Sequence, residues 1–114
     1  MGQRALGARP AWLRRVPVER IDWIAAEGDY SRVHVGTDAF LCDYPLVRLG
    51  AMLDPARFLR AHRSALVRLG AVAEVRRGPS GQLHLITGAT APAPVGRRAR
   101  PAVRRALGKD PTPP

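Results

Sequence analysis

The stretch Phe58-Leu59-Arg60-Ala61-His62-Arg63-Ser64-Ala65-Leu66-Val67 joins two kinds of residue. Phe58 and Leu59 suit a core, and Leu66 and Val67 suit a return to it. Arg60, His62, Arg63 and Ser64 stand between these anchors. A polar loop pinned by apolar residues on both sides is stiff enough to hold a guanidinium in a fixed direction. An Arg63 held so has the geometry for paired hydrogen bonds to guanine O6 and N7 in a major groove. The competing use of His62 and Ser64 is local, each satisfying backbone groups in a tight connection with Arg60 solvated.

Charge rises toward this stretch. The 114-residue chain carries 19 Lys+Arg against 9 Asp+Glu, a net charge of +10. Residues 1–18 contribute +4, and residues 19–54 contribute −4. Residues 55–109 hold eleven Arg and one Lys against Glu74 alone, hence +11. A GC-rich coding sequence accounts for Arg in place of Lys but not for the loss of acids after Asp54. A concentrated positive field attracts a polyanion.

Upstream, Val18, Ile21, Trp23 and Ile24 open a β-rich stretch, and Gly28-Asp29 marks a turn. Tyr30 to Val35 alternates, with Arg32 and His34 on one face and Val33 and Val35 on the other. Gly36-Thr37-Asp38 turns the chain into Ala39–Cys42, so an antiparallel meander is expected. Pro45–Leu53 reads as a helix with Leu46, Leu49 and Leu53 in one stripe. Downstream, Ala65–Val67, Ala71–Val75 and Gln82–Thr87 read as strands. Gly78-Pro79-Ser80-Gly81 is a turn, and Pro92 and Pro94 make Ala91–Val95 an edge strand or loop. Arg97–Leu107 is a candidate closing helix. The expected organisation is a flexible basic leader over 1–15, one domain over 16–108 and a disordered tail over 109–114.

Catalysis finds little footing. His34, His62 and His84 show no ligand spacing, and Cys42 is the single cysteine, so no metal site, cofactor or disulfide is expected. Asp22, Glu27 and Asp29 cluster, but acids of strands and turns usually sit in solvent. No nucleophile elbow, phosphate loop or dinucleotide fingerprint occurs. The longest uncharged run, Gly78 to Gly96, is broken by prolines and glycines and cannot cross a bilayer as a helix. The first fifteen residues hold four Arg and no sustained apolar stretch, so a secretory signal is not expected. A non-enzymatic cytoplasmic protein is expected.

FLRAHRSALV, preceded by ERIDWIAAEGDYSRVHV and followed by PVGRR, resembles the LytTR-type DNA-binding domain of bacterial response regulators. Matching residues include Ile21, Trp23, Glu27, Gly28, Tyr30, Phe58, Arg60, His62, Arg63, Ser64, Val67, Pro94, Val95 and Arg97, over roughly Pro17 to Leu107. The resemblance implies a mainly β, elongated fold of short antiparallel strands in small packed sheets, with little helix. It also implies loops entering successive major grooves, double-stranded DNA bound as paired direct repeats, a homodimer on DNA, and an upstream sensor or kinase of the two-component kind. Fifteen residues are too few to fold a receiver domain, so none is expected within this chain; if the chain is a fragment, a receiver is expected to have been removed.

Carried over residue by residue, the resemblance points to the turn at Tyr30, Ser31 and Arg32, to Arg63 beside His62 and Ser64, and to Arg97. Charge adds Arg60, Arg68, Arg76, Arg77, Arg98 and Arg100 as phosphate contacts. The sequence departs from the family pattern at Ala65, where an aromatic is frequent, at Arg68, commonly Asn, and at Gly96, usually Ser. The turn after Gly88 also lacks the family's acidic residue. Two other readings compete: a basic RNA-binding module, and a degenerate LytTR-like module working by protein contacts through Trp23 or the helix 45–53.

Overall fold

The computed structural model describes residues 16–108. The leader 1–15 and the tail 109–114 expected from sequence lie outside them. After a 3-10 turn at Val18–Arg20 come β1 (Trp23–Glu27), β2 (Tyr30–Val35), β3 (Asp38–Cys42) and helix α1 (Leu46–Met52). Then follow β4 (Phe58–His62), β5 (Ala65–Arg68), a 3-10 turn at Leu69–Ala71, β6 (Glu74–Arg77), β7 (Leu83–Ile86) and β8 (Ala93–Val95). A 3-10 turn at Arg97–Ala99 leads into helix α2 (Arg100–Leu107). All strands are antiparallel, in a five-stranded sheet ordered β3-β2-β1-β5-β4 and a three-stranded sheet ordered β6-β7-β8. The molecule is elongated, 43 × 25 × 24 Å.

The β1-β2-β3 meander forms where alternation and turns predict it. Gly28 and Gly36 sit at φ +65° and +60°, a region glycine enters without the Cβ penalty, and each closes a two-residue connection. α1 begins after Pro45 and buries Leu46 and Leu49, with Leu53 buried just beyond its end. Proline has no amide to lose in a first turn. Pro94 likewise sits in the outer strand β8, and Pro101 stands in the first turn of α2.

Strands β1, β5 and β4 of the large sheet are packed on both faces, which produces two cores. On one face Ile24, Val33, Phe58 and Leu66 pack with Leu46, Leu49 and Leu53 of the α1 segment. On the other, Trp23, Ala61, Ala65 and Val67 meet Val75, Leu83, Leu85, Ala93 and Val95 of the small sheet, with Val103 of α2. Ala61, Ala65 and Ala93 are fully buried here, so the two sheets meet over short side chains. The Trp23 indole N–H donates to the Ala91 carbonyl at 3.0 Å, tying the sheets together.

Three expectations need correction. Phe58–His62 is a strand rather than a loop, so the polar connection shrinks to Arg63–Ser64. With both faces of β4 covered, Phe58 and Leu59 turn inward on opposite sides and the strand shows no simple alternation. The strand expected at Ala71–Val75 is displaced to Glu74–Arg77. The 3-10 turn at Leu69–Ala71 first carries the chain from one sheet to the other. Asp22 is buried, not solvated, and its Oδ2 accepts the Gly36 N–H at 2.7 Å, bracing the β2–β3 turn.

Candidate nucleic-acid interface

Strand register decides which loops share an end of the molecule. Ala25 pairs with Ala65, and the Ala26 N–H donates to the Ser64 carbonyl at 2.9 Å, so the β1–β2 turn lies beside the Arg63–Ser64 turn. The Gly96 N–H donates to the Ala61 carbonyl at 2.7 Å, which brings the segment after β8 to the same place. Arg77, Leu83 and Val95 align across the small sheet, so the end of β6 joins them. The three segments singled out from sequence, at Tyr30–Arg32, Arg60–Ser64 and Arg97–Arg98, therefore converge on one end.

The Arg63 turn is irregular. Two-residue hairpins favour types I′ and II′, which require positive φ at Arg63. Among the described residues no non-glycine has positive φ, so this turn belongs to neither type. A β-bulge between Arg60 and His62 accommodates it, leaving two residues opposite Ala65. Side chains then serve the backbone. Arg60 donates through Nε to the His62 carbonyl at 3.1 Å and through Nη2 to the Arg63 carbonyl at 2.7 Å. His62 Nδ1 accepts the Ser64 N–H at 3.0 Å and lies 2.8 Å from Ser64 Oγ.

Arg63 itself is exposed, as are Arg97 and Arg98. Their guanidinium groups make no hydrogen bond or ion pair with any described residue. Arg63 and Arg98, with Arg60, His62, Gly96, Ala99 and Ala102, line an open concavity of about 360 Å³ between the turn and α2. A Cβ added at Gly96 would meet His62 Cδ2 at 3.5 Å, an ordinary contact, so the position has room for a β-carbon.

The remaining residues divide. Tyr30 is exposed at the β1–β2 turn. Arg32 is bound bidentately by Glu27, with Nε–Oε1 at 2.7 Å and Nη2–Oε2 at 3.0 Å. That bond holds the Glu27 carboxyl below its ordinary range and raises the Arg32 guanidinium. Ser31 is fully buried and its hydroxyl donates to the Tyr44 carbonyl at 2.7 Å, so it faces the core and not a ligand. The alternation carried that signal, since Ser31 shares its face with Val33. Arg68 lies at the far end of β5 from the turn and donates to the Ile21 carbonyl at 2.6 Å, which makes it a tie within the fold. Arg76 is paired with Glu74 at 2.9 Å, and Arg100 donates to the Gly81 carbonyl at 2.8 Å. Trp23 is buried against His34, ring centroids 4.5 Å apart, which removes it as a surface for protein contacts. Sequence reasoning missed two parts of the site, the clamp by Arg60 and the Gly96–Ala61 bond.

Among the described residues no group of three or more His, Cys, Asp or Glu could hold a metal ion. No described helix is long and apolar enough to cross a membrane.

A profile of the LytTr DNA-binding domain matches residues 12–108, most of the chain. The chain belongs to the LytTR family of DNA-binding domains. In the shared fold it matches the LytTr DNA-binding domain of a Bacillus cereus protein described as a methyl-accepting/DNA response regulator. The TM-score is 0.75 at 18% identity, over 90% of this chain and 94% of that one. In sequence it is 39% identical over 108 residues to the CO-responsive transcriptional regulator RcoM of Rhodospirillum rubrum. The match covers 84% of this chain and 46% of that protein, so the chain spans less than half the length of this relative. For a LytTR domain the function is DNA binding in transcription regulation, and the basic, exposed end formed by the Arg63 turn and the Arg97 segment suits a polyanion.

Proposed function

We propose that this LytTR domain binds double-stranded DNA sequence-specifically, without catalysis, by setting the end that carries Arg63 into the major groove. The convergence of Arg63 with Arg97 and Arg98 at one end, all three guanidinium groups free of described partners, carries the reading. Arg63 reads a base edge, Arg97 and the exposed Tyr30 turn support recognition, and Arg98 and Arg77 meet phosphates. Arg32 approaches DNA only with its charge compensated by Glu27. His62 and Ser64 serve recognition through the shape of the turn. Binding as two copies on direct repeats, input from a sensor or kinase, and action in the cytoplasm complete the proposal, supported by family membership and by the regulator that this chain matches.

The RNA-binding alternative gains no support. Single-stranded RNA sites stack bases on exposed aromatics, and Tyr30 is the one exposed aromatic among the described residues. Selection from a random duplex pool at physiological salt tests the proposal, an enriched paired motif being expected. On the selected duplex Arg63→Ala should cost about 1–3 kcal/mol and relax one base preference. Equal loss on selected and scrambled duplexes removes its base-reading role.

A further inference from the structure

Arg60 stands close to the turn, and its charge alone would give it to a phosphate. In the folded chain its planar fork spans two neighbouring carbonyls, those of His62 and Arg63. The bulge at Ala61 takes these groups out of a regular ladder, and Ala61's own carbonyl is engaged by Gly96. On the other side of the turn His62 Nδ1 holds the Ser64 amide. The backbone from 61 to 64 is thus gripped by side chains and by Gly96 at successive residues. Re-aiming Arg63 by rotating its peptide groups means breaking the Arg60 bond to its carbonyl.

We infer that Arg60 is a positioning residue: its guanidinium sets the direction in which Arg63 leaves the sheet rather than binding DNA phosphate. The inference rests on the base reading assigned to Arg63. Lysine keeps the charge at this position but replaces the fork with a single ammonium, which cannot reproduce the paired geometry. Arg60→Lys and Arg60→Gln therefore separate geometry from charge.

The test uses the full 114-residue chain, a duplex selected by the wild-type protein from a random pool, and a scrambled duplex of equal composition, over a range of salt. Thermal melting confirms that each variant folds, and amide exchange is followed at Ser64 and Ala26. Both variants should lose about tenfold on the selected duplex and little on the scrambled one, with the salt slope unchanged and faster exchange at Ser64. The assignment is overturned if Arg60→Lys behaves as wild type while Arg60→Gln weakens both duplexes alike and lowers the salt slope by about one, the mark of a phosphate contact. It is equally overturned if neither variant changes discrimination. Arg63→Ala, run beside them, reports on the base reading by itself, so failure of that reading is distinguishable from failure of the Arg60 assignment.

Discussion

Replacing Ser31 with alanine tests whether this residue belongs to the fold or to the ligand. Its hydroxyl is fully buried and donates to the Tyr44 carbonyl at 2.7 Å, joining β2 to the segment that leads into α1. Alanine fills nearly the same space but leaves the carbonyl without that donor. A buried polar group left unsatisfied costs about 1–3 kcal/mol. For a domain of this size each kcal/mol lowers Tm by roughly 4–8 °C, so a drop of at least about 4 °C is expected. Circular dichroism melts and urea titration supply the stability, and fluorescence anisotropy on the selected duplex, well below the melting point, supplies the affinity. The expected result is clear destabilisation with affinity within about twofold of wild type, since the side chain points away from the exposed end. An unchanged Tm together with lost DNA affinity would refute the reasoning and return Ser31 to the interface.

Two further outcomes follow from the electrostatics. Arg98→Ala should weaken binding to selected and scrambled duplexes alike and reduce the salt slope by about one, measured by titration from low to physiological salt. Burial, helped by Arg32, holds the His34 imidazole below its ordinary value, with Asp22 and Glu27 opposing. The unfolded chain then takes up the proton first as pH falls. His34 therefore supports stability fully above histidine's ordinary range and progressively less through it. Urea midpoints at about pH 7 and pH 5 should differ less in His34→Phe, which keeps a ring against Trp23, than in wild type.

Much of the architecture was legible because local signals agreed. Tyr30–Val35 alternates between glycine turns, and the leucines of α1 keep helical spacing beside a proline start. β4 escaped because alternation presumes one wet face, and this sheet has none over Phe58 and Leu59. In the candidate site, Arg63 is legible as a cation between apolar anchors and Arg97 from local charge and the family resemblance, and the fold leaves both exposed. The duties of Arg60 and Arg68 are not legible, because a guanidinium committed to backbone carbonyls has the same letter as one reaching for phosphate. Ile21 lies 47 positions from Arg68, and nothing in local sequence predicts that meeting.

The backbone at position 63 has one further consequence. Because the turn uses no left-handed conformation, it places no steric demand for glycine or asparagine on the residue at its tip. Lysine, glutamine or serine would occupy the same spot without straining the hairpin, while Arg60, His62 and Gly96 maintain the frame beneath. Under the base reading proposed for Arg63, single substitutions at this tip change operator preference without asking the hairpin backbone to change, so related domains can diverge in target on one skeleton.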